Sequence, residues 1–334
     1  MHEPETSKPY LIFSSDNLEA MISSVLSNGD NNKNVLFTFR KTKGSLVRSD
    51  QTLPLRSFKL SENATYDCLD IFKQPGLNHP SLQNHTIQIA GVRSRAGPYH
   101  GVEAWFNGYK LNVGRYQISY TQIFIGSRLN NQDNFIQAGY IINPGFFGTG
   151  QLWTYGFWKG KDGKGCYNTA CDGFIQVSRK IPIVQPIDLK PGVPDWSRWS
   201  IHQDKGTGNW WLTQILQNAP NEDIGYWPKE LFNLINNGAT TVGVGGAVQA
   251  SGSGSSPPMG NGNFPVGGRA DSAIFTNIEV LDSNYNQRKM NSFPTEIMVD
   301  SPKCYGLRIG KVKLFHRTRL GFFFNYGGPG GNSC

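Results

Sequence analysis

Tyr116-Gln117-Ile118-Ser119-Tyr120-Thr121 alternates apolar and polar side chains one for one, the period of a strand with one buried face. Lys311-Val312-Lys313-Leu314-Phe315-His316 repeats that alternation. Gln151–Trp158 (QLWTYGFW) and Gly321–Tyr326 (GFFFNY) are short aromatic runs bounded by glycine, the pattern of strands buried on both faces. Turns such as Lys159–Gly165 (KGKDGKG) connect them. The 39 glycines and 19 prolines interrupt the chain too often for long helices, so the sequence predicts an all-β fold. Besides a short helix-like segment around Asn17–Leu26, Pro228–Asn236 (PKELFNLIN) is the one clear helix candidate, with proline near its start and Gly238 just past its end.

The 334 residues contain 38% hydrophobic and 12% aromatic residues, enough for a core and too apolar for global disorder. A net charge of +8 raises nucleic acid as a partner. The basic residues are scattered, however, and the dense stretch Lys303–Arg319 alternates with apolar residues as a half-buried strand does. No nucleic-acid partner is expected. No run of 18 uncharged apolar residues occurs, so no membrane-spanning helix is expected. Residues 10–26 are apolar but interrupted by Asp16 and Glu19, and no signal peptide is visible there.

Cysteines stand at 68, 166, 171, 304 and 334, without a Cys-x-x-Cys, and the six histidines form no pair at ligand spacing. Neither a metal site nor another cofactor is expected. Local bridges among the four later cysteines would leave Cys68 over, arithmetic that suits an exported protein. The sequons at Asn63 and Asn84 are glycosylation candidates pointing the same way. Phosphate-binding, dinucleotide-binding and nucleophile-elbow patterns are all missing, which leaves acid–base chemistry by carboxylates open. Residues 1–60 read as a polar N-terminal segment, 61–97 as a small segment ending in the loop Arg93–Pro98, and 98–334 as the main domain. Ser251–Gly262 (SGSGSSPPMGNG) reads as a flexible loop bordering a cleft.

Asp67-Cys68-Leu69-Asp70-Ile71-Phe72-Lys73-Gln74-Pro75, His79-Pro80 and Asn84-His85-Thr86 resemble the activation peptide of the plant neprosin family. The resemblance continues through Ile136-Gln137-Ala138-Gly139-Tyr140, Gly165–Phe174 (GCYNTACDGF), Gly208–Leu212 (GNWWL) and Gly225–Pro228 (GYWP). It ends on Cys304-Tyr305 and Tyr326–Cys334 (YGGPGGNSC). It covers residues 65–334 in order. The family implies an antiparallel β-sandwich similar to the eqolisin peptidases, preceded by a propeptide-like segment. It also implies a secreted glutamic endopeptidase that cuts after proline in acid and is made as a zymogen. Two facing glutamates do the chemistry, one taking a proton from water while the other donates one or polarises the carbonyl.

Carried over position by position, those glutamates fall at Gln137 and at Ala247 in Val244-Gly245-Gly246-Ala247-Val248. A glutamine can still hydrogen-bond an oxyanion; an alanine has no polar atom. Catalysis is therefore expected to be impaired, with proline-rich polypeptides as the expected partners. An active endopeptidase using another carboxylate, or a non-catalytic structural or matrix protein, are the alternatives. Tyr140, Trp210, Trp211, Tyr226 and Trp227 are groove candidates, although each tryptophan pair also reads as core. The resemblance further implies Cys166–Cys171 and Cys304–Cys334 bridges, worth about 2 and about 3.5 kcal/mol by loop closure. Oligomeric state is not legible in the sequence.

Overall fold

A computed structural model describes residues 35–41, 56–61, 64–70, 87–190, 192–251, 254–267, 271–310 and 320–334. The helix-like segment Asn17–Leu26, the sequons at Asn63 and Asn84 and the stretch 311–316 lie outside them. Nearly every element is a strand. β1 (Val35–Lys41), β2 (Arg56–Ser61) and β3 (Ala64–Asp70) form a separate antiparallel sheet in the order β1-β3-β2.

The remaining strands make two large antiparallel sheets. The first runs β11 (Pro186–Ile187), β8 (Leu152–Lys159), β7 (Gln132–Ile142), β6 (Ile118–Leu129), β15 (Thr241–Gln249), β4 (Ile87–Ser94), β18 (Glu296–Val299), with β9 (Gly165–Tyr167) on β8. The second runs β10 (Ile175–Gln176), β14 (Glu222–Trp227), β13 (Trp210–Gln214), β12 (Asp195–Gln203), β5 (Gly101–Gly108), β16 (Ala273–Leu281), β20 (Phe324–Gly327), β19 (Gly306–Ile309). β17 (Gln287–Lys289) pairs with β16. This is the all-β antiparallel sandwich the sequence predicts. β4 comes from the activation-peptide-like stretch, yet it lies inside the first sheet between β15 and β18.

The core lies between the sheets. Phe106 of β5 meets Tyr140 of β7 edge to face at 5.2 Å, and Tyr326 reaches Thr121 Oγ1 with its hydroxyl at 2.8 Å. Close approach is enforced at Gly156 and Gly246. A Cβ on Gly156 would stand 2.5 Å from Ile183 and 3.1 Å from Trp227, and one on Gly246 would stand 2.5 Å from Tyr326. All eight residues of β8 are buried, as its aromatic run predicts.

Pro228–Asn236 is not a helix. Only Lys229–Leu231 turns, as a single 3-10 turn. The amides of Asn233 and Leu234 instead donate to Asn134 Oδ1 at 2.7 and 2.8 Å, so a β7 side chain outcompetes the i−4 carbonyls for these donors. Phe232 and Ile235 bury themselves in the core. The segment read as a flexible loop is also pinned. Ser256 bridges Gly331 and Met259 bridges Gly328, and both Ser256 and Met259 are buried. Cys166–Cys171 and Cys304–Cys334 are bonded, with Cα separations of 6.1 and 5.8 Å.

Candidate functional site

Gln137 lies on β7 and Ala247 on β15, with β6 between them. Gln137 stands opposite Phe124 and Ala247 opposite Tyr120. Directly paired residues share a face and alternate residues along a strand return to it. Gln137 and Ala247 therefore point to the same side of the first sheet, the side away from the second. Phe124 confirms the assignment, because its ring lies where a Cβ on Gly243 would stand, 2.2 Å away.

Three rows of side chains cross this face. One is Phe157, Gln137, Phe124, Gly243 and Arg93; the next is Tyr155, Gly139, Gln122, Gly245 and Gly91; the third is Trp153, Ile141, Tyr120, Ala247 and Ile89. Gln122 occupies the middle row on the middle strand, midway between Gln137 and Ala247. Its Oε1 accepts the Tyr155 hydroxyl at 2.5 Å, an arrangement that turns the amide NH2 away from Tyr155. Glycines on both sides of Gln122 leave it without a cross-strand neighbour side chain.

Tyrosines surround the glutamine. The Tyr120 and Tyr167 hydroxyls meet at 2.8 Å, and the Tyr120 and Tyr155 rings lie 5.5 Å apart. Burial pushes all three phenols above their ordinary range, with Tyr120 adding to the effect on Tyr155 and Tyr167. They are hydrogen-bonding hydroxyls across the working pH range, not bases. Gln137 is 4% exposed, and its side chain has no hydrogen-bond partner among the described residues. Gln249, two residues beyond Ala247 on the same face, is 1% exposed with Oε1 unpartnered.

Among the described residues, the carboxylates on this face lie at its margins. Glu296 of β18 stands opposite Arg93 and binds it at 2.7 Å. Asp300, just past β18, accepts the Ile89 amide at 2.9 Å, and burial raises its carboxyl above the ordinary range against that bond and Arg93. At another margin, Asp133 of β7 is engaged by Arg128 at 2.8 Å. Gln122, Tyr120, Tyr155 and Tyr167 are members of the site that sequence reasoning missed. The period-two stretch at Tyr116–Thr121 held the signal, since continuing it by one residue reaches Gln122.

The aromatic candidates go elsewhere. Tyr140 lies between the sheets, its hydroxyl on Asp195 and on Ser197 Oγ. Trp210 and Trp227 are fully buried on the inner side of the second sheet. Trp211 and Tyr226 are paired neighbours on that sheet's outer side, their rings 4.8 Å apart. None of the five shares the face of Gln137 and Ala247. Among the described residues no group of three His, Cys, Asp or Glu is placed to hold a metal ion, and no helix is long and apolar enough to cross a membrane.

Comparison with solved structures finds scytalido-glutamic peptidase bound to a transition-state analog inhibitor, at a TM-score of 0.39 and 11% identity. The match covers 73% of this chain and 100% of that one. SCP-B, a member of the eqolisin family in complex with the tripeptide Ala-Ile-His, matches at a TM-score of 0.37 and 9% identity, over 73% and 99% of the two chains. The family model described as Neprosin matches residues 115–329, a span that takes in β6, β7 and β15 with Gln137, Gln122 and Ala247 on their common face. With well over half its length so matched, the chain belongs to the Neprosin family.

Proposed function

We propose that this chain is a peptidase homologue of the Neprosin family in which hydrolysis is impaired and which holds proline-rich polypeptide segments on the Gln137–Gln122–Ala247 face. One observation carries the reading: the centre of that face offers amides, phenols and a methyl group, and no carboxylate. Loss of a general base costs ~10²–10⁴ in rate, and a phenol raised by burial cannot replace it. What is left suits binding. Tyrosine rings pack well on proline rings, and prolyl carbonyls require donors such as the free NH2 of Gln122. The burial of Gln137, Gln122 and Ala247 means that a polypeptide reaches them only after their cover is displaced, as in a zymogen. Two disulfides favour work outside the cell.

Peptide cleavage tests the reading. Wild type and Ala247→Glu are compared on a proline-containing peptide between about pH 2 and 6, a window bracketing carboxylate titration. A silent wild type and a variant that cuts after proline are expected. Clear wild-type cleavage overturns the impaired-enzyme reading. Binding is checked separately by tryptophan fluorescence with a proline-rich peptide, and no change in the signal removes the binding half.

A second reading has its own support. Asp300 stands in register with Ile89 at the end of the row containing Ala247, and burial raises its carboxyl. If wild type cleaves, Asp300→Asn abolishes cleavage on this reading, and full activity in that variant excludes it.

A further inference from the structure

The outer side of the second sheet, on the far side of the sandwich from Gln137 and Ala247, carries a row of polar residues beside a cavity. Asp223, Thr213, Ser200, Glu103 and Glu279 stand directly opposite one another across β14, β13, β12, β5 and β16, so all five point to one side. They line a cavity of ≈ 290 Å³ with His202 at its wall. Like charges directly opposite in a sheet are unfavourable, and Glu103 faces Glu279 in that way. Arg198 reconciles them, contacting Glu103 and reaching Glu279 Oε2 at 3.2 Å.

The cavity's unused bonding capacity defines its ligand. Thr213 donates to Asp223 Oδ1, and Arg198 and Gln287 both donate to Glu279 Oε2. Glu103 Oε2, Glu279 Oε1 and Asp223 Oδ2 accept no hydrogen bond from a described residue. Three free acceptors in one cavity call for a ligand rich in donors, and they repel phosphate or uronate. Flat aromatic surfaces flank them. Trp211 pairs with His202 in the next row and continues onto Tyr226, while Trp105 pairs with Arg198 on the other side. Trp196, two residues before Arg198 on the same side, is 47% exposed. From Trp211 to Trp105 is two strands across and four residues along, ~16 Å by strand spacing and rise. Such an extent fits a short chain of rings better than a single small molecule.

We infer that this face binds a neutral oligosaccharide, whose hydroxyls donate to Glu103, Glu279 and Asp223 and whose C–H faces lie on Trp211 and Trp105. A rigid aromatic body beside a polar rim is the arrangement that recognises a ligand with one apolar and one hydrated side. A cationic peptide would also supply donors and be drawn to these carboxylates, but Arg198 already stands between Glu103 and Glu279, and the flat aromatic flanks suit sugar rings.

The test uses the full chain and titration calorimetry with cellohexaose, xylohexaose, mannohexaose and chitohexaose, and with hexalysine as the cationic competitor. Saturable binding of at least one neutral hexasaccharide is expected, weakened about tenfold or more in Trp211→Ala and in the isosteric Glu103→Gln. Ala247→Glu, on the opposite face, leaves that affinity unchanged. Near- and far-ultraviolet circular dichroism confirms that both variants are folded, and the exposed Trp196→Ala gives a third variant that the core does not need. Three results overturn the inference: no binding of any hexasaccharide at millimolar concentration, binding indifferent to all three variants, or binding of hexalysine alone. None of them bears on the peptide reading of the first face.

Discussion

The two outer faces of this sandwich are built from the same strand geometry and carry opposite chemistry. On the first sheet, Gln137, Gln122, Tyr120 and Ala247 are all buried and none of them ionises in the working range. On the second, Glu103, Arg198 and Glu279 keep 17–26% of their side-chain surface exposed and are joined as ion-pair partners. A face whose polar groups are neutral can be buried at the expense of a few hydrogen bonds, whereas a charged face must keep water or a counter-charge. With alanine at 247, the centre of the first face offers no group among the described residues that burial would penalise for its charge.

The largest effect that can break this contrast is Ala247→Glu, which places a carboxylate on the neutral face. We expect a gain in cleavage after proline of about 10²-fold or more over wild type, read by peptide hydrolysis in acid. Next is Arg198→Met on the charged face, which leaves Glu103 and Glu279 opposed. A loss of about 3 kcal/mol is expected at pH 7, and a smaller loss near pH 4, because burial raises the Glu103 carboxyl and lets it take up a proton there; urea unfolding at both values decides. Tyr155→Phe strips Gln122 Oε1 of its donor and should cost ~1–2 kcal/mol. Neither Gln122 nor the buried phenols beside it titrate between those pH values, so the cost should be nearly the same at both. A strong pH dependence in Tyr155→Phe would erase the distinction between the faces.

Glu103→Gln gives the smallest effect and fixes a sign. Burial raises the Glu103 carboxyl above its ordinary range, Arg198 opposes the shift, and Glu279 adds to it. The folded state therefore holds this proton more tightly than the unfolded state. Its stabilising contribution is complete below the unfolded pKa and is lost as pH rises through the folded one. Relative to wild type, Glu103→Gln should be more stable at pH 7 than at pH 4 by under about 1 kcal/mol, again by urea unfolding.

The strands were legible because period two and aromatic runs between glycines leave few alternatives: Ile118–Leu129 and Leu152–Lys159 form where those patterns stand. Pro228–Asn236 misled because its local signals are those of a helix start and stop, while Asn134, a hundred residues earlier, decides where the amides go. Facing was the harder problem. Trp210 and Trp211 are adjacent on one strand, as are Tyr226 and Trp227, so the pleat sends one of each pair inward and the other outward. Family resemblance supplied Gln137 and Ala247, whose common face requires knowing that β6 lies between them. Gln122 follows directly on the period-two stretch at Tyr116–Thr121, but its contact with Tyr155, on a strand two places away, is visible only through that register.

The position of β4 sets a timetable. Its partners on either side, β15 and β18, come from residues 241–249 and 296–299. At ~5–20 residues per second, a nascent chain carries β4 for on the order of ten seconds before the first partner exists. Throughout that interval both hydrogen-bonding margins of Ile87–Ser94 are open to strand pairing with other chains. Completion of the first sheet is thus a late event of synthesis, one that waits for residues 241–249 and 296–299.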